Sequence, residues 1–121
     1  MSKPALTLKV FGAYLFILGL GLILLPNLIL SVFGVPPTSE VWIRVVGVLV
    51  FNIGIYYWYA AKHEARIIFR ASVYARTFVL AAFIAFVVTG LVSPVLILFG
   101  TVDFAGAIWT FVALKTEKQQ G

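Results

Sequence analysis

Two side chains of opposite charge, Arg44 and Asp103, are the strongest candidates for chemistry, because apart from Glu40 they are the only charges far from the clusters of basic residues. Each is followed by a run without Lys, Arg, Asp or Glu, residues 45–61 and 104–114. A lone charge in an apolar span costs about 2.5–3.5 kcal/mol, and a partner lowers that cost. We therefore expect Arg44 and Asp103 to approach one another. They would form either an ion pair that fixes the fold or the polar floor of a site for a headgroup, an anion or a proton.

A line of polar residues accompanies Arg44. Asn52 follows it by eight residues and Tyr56 by one further turn, so the three share nearly one face of a helix. This line could follow a ligand cleft or a hydrated path, with Tyr14 and Trp109 as walls. It could equally reflect a hydrogen bond from Asn52 to another helix and an interfacial Tyr56. The predicted ligand-binding residues are Arg44, Asn52, Tyr56, Asp103 and Trp109.

Several kinds of site are excluded by residue type. The chain has no cysteine, and its one histidine, His63, lies in the charged stretch 62–70. Disulfides, thiolate metal sites and histidine cages inside the apolar runs are therefore impossible. No nucleophile elbow, phosphate loop or zinc-binding pair occurs. We predict no catalytic residues, no metal and no cofactor. No sequence motif supports an enzyme that uses Asp103 or a tyrosine for proton transfer.

The composition indicates an integral membrane protein. Of 121 residues 63% are hydrophobic and 11% charged, against about a quarter charged in soluble domains. A membrane span needs about 20 apolar residues, and four stretches satisfy this. The prediction is a single all-α domain, a four-helix bundle of two helical hairpins, with spans at about 6–25, 40–61, 71–92 and 94–114.

Proline and capping residues set the expected span boundaries. Pro26 ends or kinks the first helix, and Thr38-Ser39 would cap the second with Glu40 in its first turn. The start of the last helix is open. Pro94 could occupy its first turn, which puts Asp103 about 13 Å along the axis. Alternatively, residues 94–100 repeat the pattern of 26–34 as part of a duplication of the hairpin, and the helix starts near Thr101.

Small residues recur seven apart in every span, which places each pair on one helix face. Such pairs allow close approach of backbones in lipid, although a chain rich in glycine and alanine also yields them by chance. The pairs are Gly12 and Gly19, Gly47 and Gly54, Ala75 and Ala82, and Gly106 and Ala113.

The positive charges lie at the ends of the spans. The positive-inside bias then puts both termini and the middle connection in the cytoplasm, which requires an even number of crossings. A net charge of +5 in this arrangement does not indicate nucleic acid. Lys62, Arg66 and Arg70 recur every four residues and form one basic stripe, while Arg76 either joins this belt or faces inward toward Tyr57. The predicted membrane-interface residues are Trp42, Trp58, Tyr59, Lys62, Arg66 and Arg70.

The pattern of Pro26, the run Arg44-Val45-Val46-Gly47 with Gly54, Arg76 and Asp103 resembles the small four-helix bacterial membrane proteins grouped as DoxX-like. The resemblance covers nearly the whole chain. It implies a four-helix fold in the bacterial inner membrane. The family's namesake is a subunit of a quinone-reducing thiosulfate oxidoreductase, but no catalytic set transfers, and this chain has no thiol for sulfur chemistry.

The function expected from the sequence is non-catalytic. The bundle would bind a lipophilic or amphiphilic ligand, such as a lipid or a quinone, or a membrane protein partner. Membrane lipids and a second copy of the chain are further expected partners. The alternative is a minimal oligomeric transporter or channel that uses Arg44, Asn52 and Asp103.

Overall fold

The structure, a computed structural model, describes residues 1–32, 34–91 and 96–120, and all the regular secondary structure in this part of the chain is helical. Four of the helices are long and apolar enough to cross a membrane, which confirms the predicted all-α class and suggests a membrane protein. The helices are α1 (Lys3–Leu24), α2 (Pro26–Val32), α3 (Trp42–Lys62), α4 (Arg66–Val88) and α5 (Leu96–Gln120).

The first helix ends where proline predicts. Pro26 has no N–H to donate, so α1 stops at Leu24 and the chain restarts as the short helix α2. At the other end α1 begins at Lys3, a few residues before the predicted start, because Ser2 caps it. The Ser2 hydroxyl accepts a hydrogen bond from the Ala5 N–H at 3.2 Å.

The predicted cap of the second span is wrong. The helix α3 begins at Trp42, and the residue before it, Val41, makes no side-chain cap. The Thr38 hydroxyl instead accepts the N–H of Glu40 at 3.2 Å, and the Thr38 N–H donates to the Asn27 side chain at 2.9 Å. The segment between α2 and α3 is therefore bound to α2 through Asn27. The Thr38 hydroxyl accepts a hydrogen bond within this segment and does not cap α3.

The basic connection is shorter than expected, so the single basic stripe is also wrong. Only His63–Ala65 separate α3 from α4, and α4 begins at Arg66 rather than near residue 71. Glu64 takes a φ of +51° to make this turn. Lys62 consequently belongs to α3, while Arg66 and Arg70 belong to α4.

The N-terminus is bound to this turn. The Ser2 N–H and hydroxyl donate to the two carboxylate oxygens of Glu64 at 2.8 and 2.6 Å, and Arg66 lies 3.8 Å from the same carboxylate. The start of α1 and the α3–α4 turn therefore lie at one end of the bundle.

This carboxylate makes stability depend on pH. The hydrogen bonds from Ser2, and then Arg66, hold the pKa of Glu64 below its ordinary value of 4.5. A depressed pKa contributes stability above the unfolded-state value, and that stability is lost as pH falls through the folded-state value. We expect Glu64→Gln to unfold at a lower temperature than the parent near neutral pH, and the difference to vanish in acid. Thermal unfolding in detergent measures this.

The control is Glu40→Gln, since Glu40 is exposed and its carboxylate has no hydrogen bond to the described residues. A difference between parent and Glu64→Gln that persists unchanged into acid, or that Glu40→Gln reproduces, contradicts the assignment.

The last helix runs without interruption from Leu96 through Gly100, so a start near Thr101 is wrong. Asp103 lies seven residues after Leu96, about 10 Å along the axis. The start at Leu96 is close to the predicted start at Pro94. Ser93 and Pro94 themselves lie outside the described residues. The halves also differ, because residues 96–100 continue into α5 whereas α2 is separated from α3.

The helices pair as α1 with α3 and α4 with α5, and the pairs join mainly through α1 and α5. Glycine sets the α1–α3 contact as predicted. A Cβ on Gly12 would lie 3.3 Å from the Gly54 carbonyl, and one on Gly19 would lie 2.9 Å from that of Gly47. The alanine pair of α4 does not act this way, since Ala75 is exposed.

The densest packing lies near the end that holds the N-terminus and the α3–α4 turn. Helices α1, α3 and α4 contribute to this core, whose buried members are Ala5, Leu8, Phe11, Leu15, Tyr57, Ala60, Ala61 and Phe69.

Candidate ligand-binding site

Arg76 points into the bundle, which decides the alternative that the sequence left open. It lies ten residues into α4, about 15 Å from the helix start, and is only 3% exposed. Its Nε donates to the Ser72 carbonyl at 3.1 Å. Its Nη2 donates to the hydroxyls of Ser72 at 2.9 Å and Thr110 at 2.8 Å. A guanidinium inside an apolar bundle is thus held by two helices.

The hydroxyl of Thr110 extends this network to α1. It lies 2.7 Å from the buried hydroxyl of Thr7 and 3.1 Å from the carbonyl of Gly106. Thr7 in turn donates to the Pro4 carbonyl at 2.7 Å. Hydrogen bonds between polar side chains thereby cross from α4 through α5 to α1, which helps to fix Arg76 in one position.

Aromatic rings enclose the guanidinium. Its central carbon lies 4.9 Å from the ring centre of Phe11 and 5.6 Å from that of Tyr57, both within cation–π range. Gly106 leaves the necessary room, since a Cβ there would lie 3.0 Å from Arg76 Nη1. Three neighbouring helices are therefore shaped around this one side chain.

One nitrogen of Arg76 has no hydrogen-bond partner in the described part of the chain. Nη1 is buried and makes no hydrogen bond to the described residues. A buried donor without an acceptor costs about 1–3 kcal/mol, and a bilayer interior supplies no water to satisfy it. An acceptor atom that reached Nη1 would remove this cost.

Asp103 is the acid of this region. It is half-buried and lies within electrostatic range of Arg76, Tyr57 and Tyr14, but no salt bridge of 4 Å or less joins it to the described cations. Each of the four long helices thus contributes one polar group. We call these four, Tyr14, Tyr57, Arg76 and Asp103, the polar centre.

The expected pair of Arg44 and Asp103 is wrong. Arg44 donates to the carbonyl of Ile23 in the last turn of α1, where helix carbonyls lack N–H partners from their own helix. It lines an open groove of about 450 Å³ together with Asn27 and Glu40. The break at Pro26 creates this acceptor, and Asp103 has Arg76 as its electrostatic partner instead.

No protein family, curated protein or solved structure matches this chain. Geometry and residue chemistry alone therefore identify the candidate site. Among the described residues, no group of three or more His, Cys, Asp and Glu is placed to hold a metal ion.

The other predicted ligand-binding residues lie outside the polar centre. Asn52 is exposed, Tyr56 is 70% exposed and Trp109 is 45% exposed. Among the described residues, no hydrogen bond, ion pair or cation–π interaction joins them to Arg76 or Asp103. Their role in a ligand cleft or a transport path stays a prediction.

The predicted interface aromatics have polar neighbours at the N-terminal end of the bundle. The Lys9 ammonium lies 4.7 Å from the ring centre of Trp58, and Tyr59 stacks on His63 at 6.2 Å. A groove of about 590 Å³ there is lined by Lys9, Trp58 and Lys62, among others. Such a mixture of rings and ammonium groups is typical of headgroup depth. Trp42 is exposed at the start of α3, away from this end.

Sequence reasoning missed the hydroxyls that hold Arg76. Ser72 precedes it by four residues, the spacing that places two side chains on one helix face. This spacing could have predicted from the sequence that Ser72 binds Arg76. The approach of Thr7 and Thr110, 103 residues apart, had no counterpart in the sequence.

Proposed function

We propose that this protein is a non-catalytic multi-pass membrane protein that binds a lipophilic molecule between its helices, with the head of that molecule at the polar centre. The observation that supports it most is the buried, unpartnered Nη1 of Arg76 beside the half-buried Asp103. An oxygen atom of a ligand would supply the missing acceptor.

The charges of the polar centre favour an uncharged head. Arg76 and Asp103 balance one another, so a phosphate would add an uncompensated negative charge in a medium of low dielectric constant. A carbonyl oxygen can accept from Arg76 without that cost. The hydroxyl of Tyr57, which makes no hydrogen bond to the described residues, is a second donor. A quinone, with two carbonyl oxygens and an apolar tail, has this chemistry.

The proposed location is the bacterial inner membrane, which is what the DoxX-like resemblance implies, and the proposed orientation puts both termini in the cytoplasm. Support comes from the basic residues near the end where Ser2 meets Glu64. Lys3, Lys9, Lys62 and Arg66 belong to that end, and cytoplasmic ends of membrane helices are enriched in lysine and arginine.

Binding of a short-chain benzoquinone to the purified protein in lipid nanodiscs tests the proposal. We expect saturable binding, and we expect Arg76→Gln to weaken it about 10- to 100-fold, since a hydrogen bond to a charged group contributes about 1.5–3 kcal/mol. A long-chain phosphatidic acid, which has the anionic head, should compete poorly.

The matched control is Arg44→Gln, which removes a guanidinium from the surface groove. It should leave the dissociation constant within about twofold of the parent value. Circular dichroism must show the same helix content for both variants. An absence of saturable binding, or equal losses in both variants, would rule out the polar centre as the quinone site. Co-purification of a membrane protein without any lipophile would instead favour a partner-binding role.

A further inference from the structure

One face of α3 carries an unbroken line of exposed side chains. Their spacing alternates between three and four residues, which is the repeat of helices that pack along a seam. None of them is charged. The line, called here the α3 stripe, consists of Trp42, Val45, Leu49, Asn52, Tyr56 and Tyr59.

Asn52 lies at the middle of the stripe and at the middle of the helix. Ten residues separate it from Trp42 and ten from Lys62, so it lies about 15 Å from each end. Its side chain makes no hydrogen bond to the described residues and is exposed. In a membrane that position is the centre of the hydrocarbon layer, where neither water nor lipid can satisfy an amide.

We propose that the α3 stripe packs against the same stripe of a second copy, and that the two Asn52 carboxamides hydrogen-bond across a twofold axis along the membrane normal. Copies inserted in the same direction are related by such an axis, which brings each residue on it to its own counterpart. A carboxamide both donates and accepts, so it satisfies its own copy.

A second copy fits the stripe better than another kind of partner does. The stripe presents no charge for a partner to neutralise, and its one polar group is self-complementary. A single asparagine within an otherwise apolar seam is a known way to fix register between identical helices. The polar centre faces the inside of the same molecule, so this interface does not depend on ligand binding.

Cysteine cross-linking locates the interface, because the chain has no cysteine of its own. The variants Leu49→Cys and Tyr56→Cys place a thiol on the stripe and keep Asn52. Phe78→Cys is the matched control, because Phe78 is 71% exposed but belongs to α4. In vesicles at high lipid dilution, oxidation should link the two α3 variants into dimers and leave Phe78→Cys monomeric.

The contribution of the carboxamide is measured by energy transfer between labelled copies as lipid dilution increases. We expect Asn52→Leu to raise the dimer dissociation constant about 3- to 30-fold. Thr77→Val should not change it, because Thr77 is exposed on α4 and its hydroxyl donates to the Val73 carbonyl of its own helix.

Three results would overturn the proposal. The first is a monomer at every dilution, and the second is cross-linking of Phe78→Cys as efficient as that of the α3 variants. The third is an equal dissociation constant for Asn52→Leu and Thr77→Val. Circular dichroism of each variant, compared with the parent, shows that it is folded.

Discussion

Gly19→Ala is expected to lower the unfolding free energy by about 1–3 kcal/mol, the usual cost of forcing an extra methyl group into a packed interface. The new Cβ would lie 2.9 Å from the Gly47 carbonyl oxygen, the Phe51 nitrogen and the Phe51 Cβ. These atoms belong to the α3 backbone or are attached directly to it, so none can rotate away. The helices must separate, and α1 is the helix that links both pairs.

Gly21→Ala is the matched control for this substitution. Gly21 lies two residues after Gly19 in α1. A Cβ there would lie 2.7 Å from the Cδ1 atom and 2.9 Å from the Cγ1 atom of Ile29. Those atoms belong to a side chain, not to the backbone, so Ile29 and the short helix α2 can shift without separating α1 from α3. Because alanine also favours helix by up to about 1 kcal/mol, Gly21→Ala should destabilise the fold less than Gly19→Ala does.

Thermal or denaturant unfolding in detergent micelles compares the two variants with the parent. If Gly19→Ala and Gly21→Ala lowered the unfolding free energy equally, the loss would come from replacing any glycine of α1 and not from the α1–α3 contact. The reciprocal variant Gly47→Ala should reproduce Gly19→Ala, since its Cβ would lie 2.9 Å from the Gly19 carbonyl.

Arg76→Met is expected to destabilise the fold by about 1–3 kcal/mol, because it removes the hydrogen bonds of a buried guanidinium and leaves the half-buried Asp103 without its electrostatic partner. The hydroxyls that bind Arg76 keep other partners. Ser72 donates to the Phe69 carbonyl at 2.7 Å, and Thr110 lies 3.1 Å from the Gly106 carbonyl. The uncompensated charge of Asp103 should therefore dominate the loss.

A second substitution tests this cause. The double variant Arg76→Met with Asp103→Leu replaces both charges by apolar groups, which is often neutral for a buried pair. We expect it to recover at least about 1 kcal/mol of the loss, measured as the coupling energy of a double-mutant cycle. Strictly additive effects would show that the two charges do not act together, and the polar centre would lose its electrostatic basis.

The comparison of Arg44 with Arg76 shows where sequence reasoning succeeded and failed. The sequence places both arginines in or beside apolar spans and predicts a positive partner for Asp103. In the structure the described cation within electrostatic range of Asp103 is Arg76, and the two do not form a salt bridge. The wrong arginine was chosen, because separation from other charges along the chain does not report which helix faces meet. A break at Pro26 gave Arg44 an acceptor in α1, and Gly106 gave Arg76 the room to turn inward.

The sequence by itself determined the number of long apolar helices, the interruption at Pro26 and the glycine faces of α1 and α3. Each of these depends on local composition or on a fixed spacing along one helix. Only the tertiary structure decided that Arg76 turns into the bundle within electrostatic range of Asp103 and that Thr7 meets Thr110. Those contacts depend on the rotation of each helix about its axis and on which helices are neighbours, and uniformly apolar helix surfaces leave both undetermined until the side chains pack.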